Sequence, residues 1–139
     1  MNSQIELTIL DRFKRLAKAR RMAHAYLFAG PPESGKQATA LAIAQLVNCL
    51  MPQEAPCGTC ASCMKIASGN HPDVYLLGDE DTGAIKIDQI RQMLGRVSLK
   101  AFEASVKVFI LPHADQMTTE AANALLKTLE EPAANTLII

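Results

Sequence analysis

The sequence has no net charge, no long apolar run and no low-complexity tract. Its 139 residues carry 14 Lys plus Arg against 14 Asp plus Glu, so bulk charge does not indicate a strongly basic nucleic-acid binder. No apolar run reaches the roughly 18 residues that a membrane span requires. The first residues, Met1–Glu6, lack the basic-then-apolar form of a signal peptide. A globular, cytoplasmic protein with a sizeable core is therefore expected, since hydrophobic residues make up 49%.

Cysteine is absent outside one short segment, which holds Cys49, Cys57, Cys60 and Cys63. The last three form two consecutive Cys-x-x-Cys steps, a spacing that lets neighbouring sulfurs reach one ion, and four thiolates can surround zinc tetrahedrally. A reducing compartment favours a metal or free thiols over disulfides. The pattern predicts a structural zinc module at about residues 49–63. Iron–sulfur ligation, a disulfide pair and buried thiols are the alternatives.

A Gly-rich loop lies between an apolar run and a helix-like run. It matches the phosphate-loop pattern, Gly, four residues, Gly, Lys, then Ser or Thr, except that Gln37 takes the last position. In such a loop the backbone N–H groups cradle phosphate, and Lys36 would reach the outer phosphates. Gln37 offers no hydroxyl for magnesium. The candidate nucleotide-binding residues are Gly30, Pro31, Pro32, Glu33, Ser34, Gly35, Lys36 and Gln37.

The second half of an ATPase metal site is also missing. A buried strand is predicted over Lys107–Leu111, and Pro112 and His113 follow it directly. A phosphate-loop ATPase carries at this point an acid that holds magnesium, with a Glu beside it that polarises the attacking water. Neither Pro112 nor His113 supplies the required negative charge, and Asp115 is predicted to cap the next helix. The sequence therefore predicts no catalytic residue, and nucleotide binding that is weak or absent because Glu33 adds a negative charge to the loop.

Predicted strands and helices alternate along the chain. This order predicts an α/β fold with a parallel central sheet, right-handed crossovers, and the phosphate-type loop at the carboxyl ends of the strands. The apolar run Thr136–Ile139 ends the chain as a bare strand, so we expect a sheet truncated at its C-terminus and a longer parent protein. The strands are predicted at 24–29, 74–77, 107–111 and from 136, and the helices at 9–22, 36–50, 61–68, 87–97 and 119–131.

Four stretches together resemble the bacterial clamp-loader ATPases of the AAA+ class, and they cover nearly all of the chain from His24 onward. The resemblance implies a P-loop NTPase fold, a three-layer sandwich with the zinc module inserted after the loop's helix. It also implies that residues 1–139 are part of one nucleotide-binding-type domain, with the lid, the collar domain and the arginine finger outside this chain. The four stretches are residues 24–31, the cysteine module, residues 71–73 with 85–91, and residues 121–132.

The motor subunits of that family carry a complete phosphate loop and an Asp-Glu pair, and this chain departs from them at Gln37, Pro112 and His113. The resemblance thus implies a non-hydrolysing stator subunit of the DNA polymerase III clamp loader, which helps place the sliding clamp on primed DNA. The implied partners are the gamma/tau and delta subunits and, through the assembled complex, the clamp and primed DNA, but no membrane. Two alternatives are an active ATP-hydrolysing motor subunit and a zinc-stabilised nucleic-acid binding module that uses the basic residues Arg20 and Arg21.

Overall fold

The computed structural model describes residues 3–32, 34–78 and 84–139. Glu33 and the acidic run Asp79–Asp81 lie outside the described residues. Two short 3-10 turns, Pro52–Glu54 and Ala114–Gln116, separate some of the regular elements. In chain order these elements are α1 (Ser3–Lys18), α2 (Lys36–Asn48), α3 (Ala61–Ser68), β1 (Val74–Leu76), α4 (Ile87–Val97), β2 (Lys107–Ile110), α5 (Thr119–Glu130) and β3 (Thr136–Ile138).

The strands form a parallel sheet in the order β1-β2-β3. Val108 of β2 pairs with Val74 on one side and with Leu137 on the other. All four residues of β2 are buried, as expected for a central parallel strand that is covered on both faces. The predicted α/β class with a parallel sheet is confirmed.

The prediction of a buried strand over residues 24–29 was wrong. The structure shows one parallel bridge there, between Ala25 and Ile138, held by the Tyr26 N–H, which donates to the Ile138 carbonyl at 2.9 Å. Leu27 is 84% exposed. The segment lies at the sheet edge beside β3, and among the described residues nothing pairs with its other side. An edge segment with one neighbour has half of the ladder hydrogen bonds that hold a central strand.

Helices cover both faces of the sheet. Alternate residues of β2 point to opposite faces, so each face contributes to its own cluster. On one face, Val108 packs in a cluster with residues of α1 and α2, including Phe13 and Ile43. On the other face, Phe109 packs with residues of α4 and α5, including Ile90 and Leu125. The α1–α2 layer therefore positions both the Gly-rich loop and the cysteine segment, which lie at opposite ends of α2.

The bounds of α1 and the cap of α5 differ from the predictions. Helix α1 begins at Ser3 and ends at Lys18, earlier than predicted at both ends. Asp115 does not cap α5; Thr118 does, and its hydroxyl oxygen accepts from the Ala121 N–H at 3.2 Å. Asp115 lies instead in a 3-10 turn.

The sequence pattern also predicts Asp88 as the cap of α4. It predicts that the inner face of α5 consists of Ala122, Leu125, Leu126 and Leu129. The structure corrects the first prediction and part of the second. The residue that precedes α4 is Lys86, so Asp88 lies in the first turn and is not the cap. The buried residues of α5 are Ala121 and Leu125, whereas Leu126 is 51% exposed. Leu125 and Leu129 pack on the core as predicted, whereas Ala122 and Leu126 are exposed and Ala121 is buried instead.

The prediction for α3 is confirmed at both ends. Gly69 closes it with a φ of 78°, a left-handed conformation that glycine adopts without strain. Among the described residues, no helix is long and apolar enough to cross a bilayer.

Candidate metal centre and phosphate-type loop

The four cysteines come together in space. Their Sγ atoms all lie within 4.8 Å of one another, and all four thiols are free. Cys49 is the residue that ends α2, Cys60 is the N-cap of α3, and Cys63 lies in the first turn of α3. The turn at Pro52–Glu54 returns the chain, so that the helix end and the Cys-x-x-Cys steps meet.

The arrangement fits a metal ion held by four sulfurs. With Zn–S bonds of about 2.3 Å, tetrahedral geometry separates the sulfurs by about 3.8 Å, so a small contraction of the described cluster would complete the site. Four sulfur ligands leave no open position for substrate. The cluster is therefore suited to stabilising the fold and not to catalysis.

Backbone N–H groups point at three of the sulfurs. Cys57 Sγ accepts from the Cys60 N–H at 3.2 Å and from the Thr59 N–H at 3.4 Å. Cys60 Sγ accepts from the Cys63 N–H at 3.4 Å, and Cys49 Sγ from the Met51 N–H at 3.4 Å. Donors that surround a sulfur stabilise its thiolate form, which is the form that binds metal.

Together with burial, these hydrogen bonds give three of the thiols different pKa values. Hydrogen bonds from Thr59, first from its N–H and then from its hydroxyl, lower the pKa of Cys57 to about 6. The Cys63 N–H lowers the pKa of Cys60. Burial raises the pKa of Cys63 to about 12. Cys57 is therefore the ligand most ready to bind a cation, whereas ionising Cys63 requires a cation to offset its burial.

The module is tied to the rest of the fold through α2 and the start of β2. Gln45 Nε2 donates to the Cys63 carbonyl at 2.9 Å. The buried amide of Asn48 bonds Val106 twice, donating to its carbonyl at 2.8 Å and accepting from its N–H at 2.9 Å. At about 1.5 Å per residue, the 13 residues of α2 place the cysteines about 20 Å from the Gly-rich loop. A metal in the cysteine cluster therefore cannot serve a phosphate on the loop.

The Gly-rich loop leads directly into α2. Gly35 is the N-cap, with a φ of 80° and no capping side chain. Ser34 Oγ donates to the Pro31 carbonyl at 2.7 Å, and Lys36 Nζ donates to the Gly30 carbonyl at 2.7 Å. The lysine ammonium thus bends back onto its own loop. Gln37 is exposed and contributes no hydroxyl.

Pro112 and His113 lie just past the carboxyl end of β2. The Leu111 N–H donates to the Ile139 carbonyl at 2.8 Å, the last backbone bond before them. His113 is exposed and precedes the turn Ala114–Gln116. Because the sheet is parallel, this end faces the same edge as the loop that follows Ala25. Neither residue presents a carboxylate at that edge.

Sequence reasoning missed Glu6 of α1. Its Oε1 atom is buried and has no hydrogen-bond partner among the described residues. A Cβ placed on Gly35 would lie 1.9 Å from that oxygen, so the carboxylate lies directly against the glycine of the loop. An acid in the first turn of an amphipathic helix is ordinary, and no spacing pattern connects residue 6 with residue 35.

Sequence reasoning also missed a buried carboxylate that orders the segment before β2. Asp73 Oδ2 accepts from the N–H groups of Glu103 at 2.8 Å and Ala104 at 2.9 Å, and Oδ1 from that of Phe102 at 2.9 Å. Burial by itself raises the pKa of Asp73, but the three N–H groups together outweigh it and hold the pKa below its usual value. Asp73 is 1% exposed, so it acts as an internal cap and not as a ligand for solvent ions.

Lys107 orders the end of α4, as Asp73 orders the segment before β2. Its ammonium donates to the carbonyls of Val97 at 2.6 Å and Arg96 at 3.0 Å, and also to that of Leu99. Burial lowers the pKa of Lys107. The carbonyls at a helix C-terminus carry partial negative charge and stabilise a cation. Asp73 and Lys107 together fix the connection between α4 and β2.

The model of the family described as "DNA polymerase III, delta subunit" matches residues 5–139. The chain belongs to this family. Over 119 residues it is 44% identical to DNA polymerase III subunit delta' of Bacillus subtilis (strain 168), covering 86% of this chain and 36% of that protein.

Other relatives include both delta' and motor-type subunits. The delta' subunit of Pseudomonas aeruginosa is 42% identical over 84% of this chain and 36% of its own length. The tau subunit of Bacillus subtilis is 36% identical over 86% of this chain and 21% of its own length. The chain thus spans about a third of the length of the delta' relatives.

A solved structure supports the same fold. The DNA polymerase III gamma subunit-related protein of Thermotoga maritima superposes with a TM-score of 0.68 at 25% identity. The match covers 93% of this chain and 37% of that protein. The predicted membership of the clamp-loader subunit family is confirmed, and its relatives include delta' subunits.

Proposed function

We propose that the chain is the N-terminal, AAA+-type part of a non-hydrolysing stator subunit of the DNA polymerase III clamp loader. The observation that carries the proposal is that three key positions of the nucleotide site have no hydroxyl or carboxylate for magnesium. Gln37 replaces the loop hydroxyl, and Pro112 and His113 replace the two acids past β2. Phosphoryl transfer depends on a positioned metal and charge stabilisation, so three losses at one metal site disable it.

The geometry of the loop supports the same proposal. Lys36 donates to the Gly30 carbonyl, which leaves its ammonium directed at the chain. The fold of the loop and α2 then serves chiefly to position surfaces against neighbouring subunits in a ring. In this role the protein works in the cytoplasm with gamma/tau and delta subunits and meets the clamp and primed DNA through the complex.

The cysteine cluster is proposed to hold one structural zinc ion. Cys49, Cys57, Cys60 and Cys63 supply the ligands, and zinc would neutralise the thiolates and lock α3 against the end of α2. Elemental analysis of the complete protein should give one zinc per chain. Metal-free protein with four titratable thiols and unchanged thermal stability would contradict this assignment.

The stator role is tested by assembly. The complete protein is mixed with gamma/tau and delta subunits, and ATPase activity is measured with clamp and primed DNA. We expect assembly, and we expect Lys36→Ala to leave the ATPase rate of the complex within about twofold of wild type, while the same change in the motor subunit abolishes it. Failure to enter the complex overturns the assignment.

The motor alternative is favoured by similarity to motor-type subunits, including the identity of 36% to a tau subunit over most of this chain. It predicts that Lys36→Ala lowers the ATPase rate of the complex substantially, because each motor lysine contacts phosphate. The same experiment therefore decides between the two roles.

A further inference from the structure

The carboxylate of Glu6 lies against Gly35, the N-cap of α2. Gly35 has no Cβ, and glycine at such a position lets a ligand approach the backbone closely. Here the space is filled from inside the protein, because a Cβ on Gly35 would lie 1.9 Å from Glu6 Oε1 and 2.9 Å from its carboxyl carbon. Glu6 therefore occupies the open side of the glycine.

The place that Glu6 occupies is favourable for negative charge. The first N–H groups of α2 have no intrahelical partner, and the partial positive charge of the helix N-terminus lies there. Gly35 provides no side-chain cap. Glu6 Oε1 is buried without a hydrogen bond among the described residues, and it lies against the N-cap Gly35, where the helix dipole favours negative charge.

Lys36 does not compete for this position. Its ammonium donates to the Gly30 carbonyl at 2.7 Å, and among the described residues it forms no ion pair with Glu6. An incoming phosphate would thus meet a lysine that is already bonded and a carboxylate of like charge. A phosphate on the loop would therefore meet repulsion from Glu6 and would compete with the Gly30 carbonyl for Lys36.

Helix α1 holds the carboxylate in place. Phe13 is buried and packs edge-to-face on Tyr26 at 4.7 Å and on Phe28 at 6.0 Å between ring centroids. These rings belong to the segment that leads into the Gly-rich loop. Moving Glu6 away by shifting the whole helix would therefore disrupt this aromatic cluster.

We propose that Glu6 is an internal anion that excludes phosphate from the Gly-rich loop. The inference rests on the proposed function and deepens it, since it assigns the loss of nucleotide binding to a residue outside the phosphate-loop motif. The missing magnesium ligands remove hydrolysis, and Glu6 removes phosphate affinity. The two effects are separable by substitution.

The test measures pyrophosphate binding by isothermal titration calorimetry, on the complete protein and without magnesium. Glu6→Ala and Glu6→Gln should each raise the affinity about tenfold or more over wild type, since they remove a like charge from the anion position. Glu6→Gln keeps the side-chain volume, so its pyrophosphate affinity provides the test if Glu6→Ala fails to fold. Adding Lys36→Ala to Glu6→Gln should abolish the gain.

The matched control is Asp11→Asn, which removes one negative charge from the same helix. Asp11 is exposed and pairs with Lys14 at 3.8 Å, so its substitution should leave the affinity unchanged. Equal pyrophosphate affinity in wild type and Glu6→Gln overturns the inference, as does an equal gain in Asp11→Asn. ATP turnover by the wild-type protein would overturn the proposed function separately, whatever the binding measurements show.

Discussion

Lys36 Nζ donates a 2.7 Å hydrogen bond to the carbonyl oxygen of Gly30, so the two fixed residues at either end of the Gly-rich loop bond each other. The loop is closed by its own lysine. In a phosphate-binding loop that ammonium faces the ligand. This contact, together with Gln37, Pro112 and His113, supports the proposal that the subunit does not hydrolyse ATP.

Lys36→Ala is expected to have little effect on folding. The lost bond is partly exposed, so the free energy of unfolding should fall by about 1 kcal/mol or less. Urea denaturation of the complete protein measures this, with Lys14→Ala as a control on an exposed lysine. A much larger loss would show that Lys36 is a principal structural residue of the loop.

Gly35→Ala is expected to destabilise the protein in a way that depends on Glu6. The φ of 80° at Gly35 costs an alanine about 1 kcal/mol or more, and the new methyl group meets the Glu6 carboxylate. In the Glu6→Ala background the steric part should disappear, giving a coupling of about 1 kcal/mol in a double-mutant cycle. Strict additivity of the two substitutions would contradict the contact between Glu6 and Gly35.

Asp73→Ala should be among the most destabilising substitutions outside the apolar core. It leaves three N–H groups without their acceptor, at a cost of about 3 kcal/mol in unfolding free energy. Asp88→Asn is the control, because that carboxylate is exposed on α4. Denaturant unfolding measures both, and similar small effects would show that the N–H groups find other partners.

Asp73 also predicts a pH dependence. Its folded pKa lies below the unfolded value, so its stabilising contribution is present above the unfolded pKa of about 3.9 and is lost as the pH falls through the lower folded value. Wild-type stability should therefore drop more steeply in that acid range than the stability of Asp73→Asn. Parallel curves for the two proteins would contradict this.

Cys63→Ser should abolish binding of the proposed zinc ion and destabilise the module. Loss of a bound structural ion is expected to lower the unfolding free energy by roughly 3 kcal/mol or more. Ser62→Ala is the matched control from the adjacent position, since Ser62 Oγ is buried and has no hydrogen-bond partner among the described residues. Elemental analysis and thermal melting measure the two effects. Equal melting temperatures of Cys63→Ser and wild type would contradict a stabilising metal.

Features that depend on residues close together in the chain were predictable from the sequence. The apolar run of β2 and the Gly69 end of α3 agree with the structure, and so does the meeting of the four cysteines. Each depends on residues that are close in the chain or on a well-defined ligand spacing. The segment 24–29 was mispredicted because its composition suits a central strand, whereas its place in the sheet leaves one side unpaired.

Other features depend on contacts between distant residues, which no spacing pattern reports. Asp73 accepts from N–H groups about thirty residues away, and Glu6 lies against Gly35 through the packing of α1 on α2. From residue type alone, both acids would be expected on the solvated surface. Their roles follow only from the tertiary structure.

The most direct test of the stator assignment is steady-state ATP hydrolysis by the purified complete protein with magnesium, compared with its Lys36→Ala variant. The assignment predicts that wild type and variant show the same background rate, because Gln37, Pro112 and His113 provide no magnesium site. Turnover by the wild-type protein that Lys36→Ala abolishes would contradict it and identify a motor subunit.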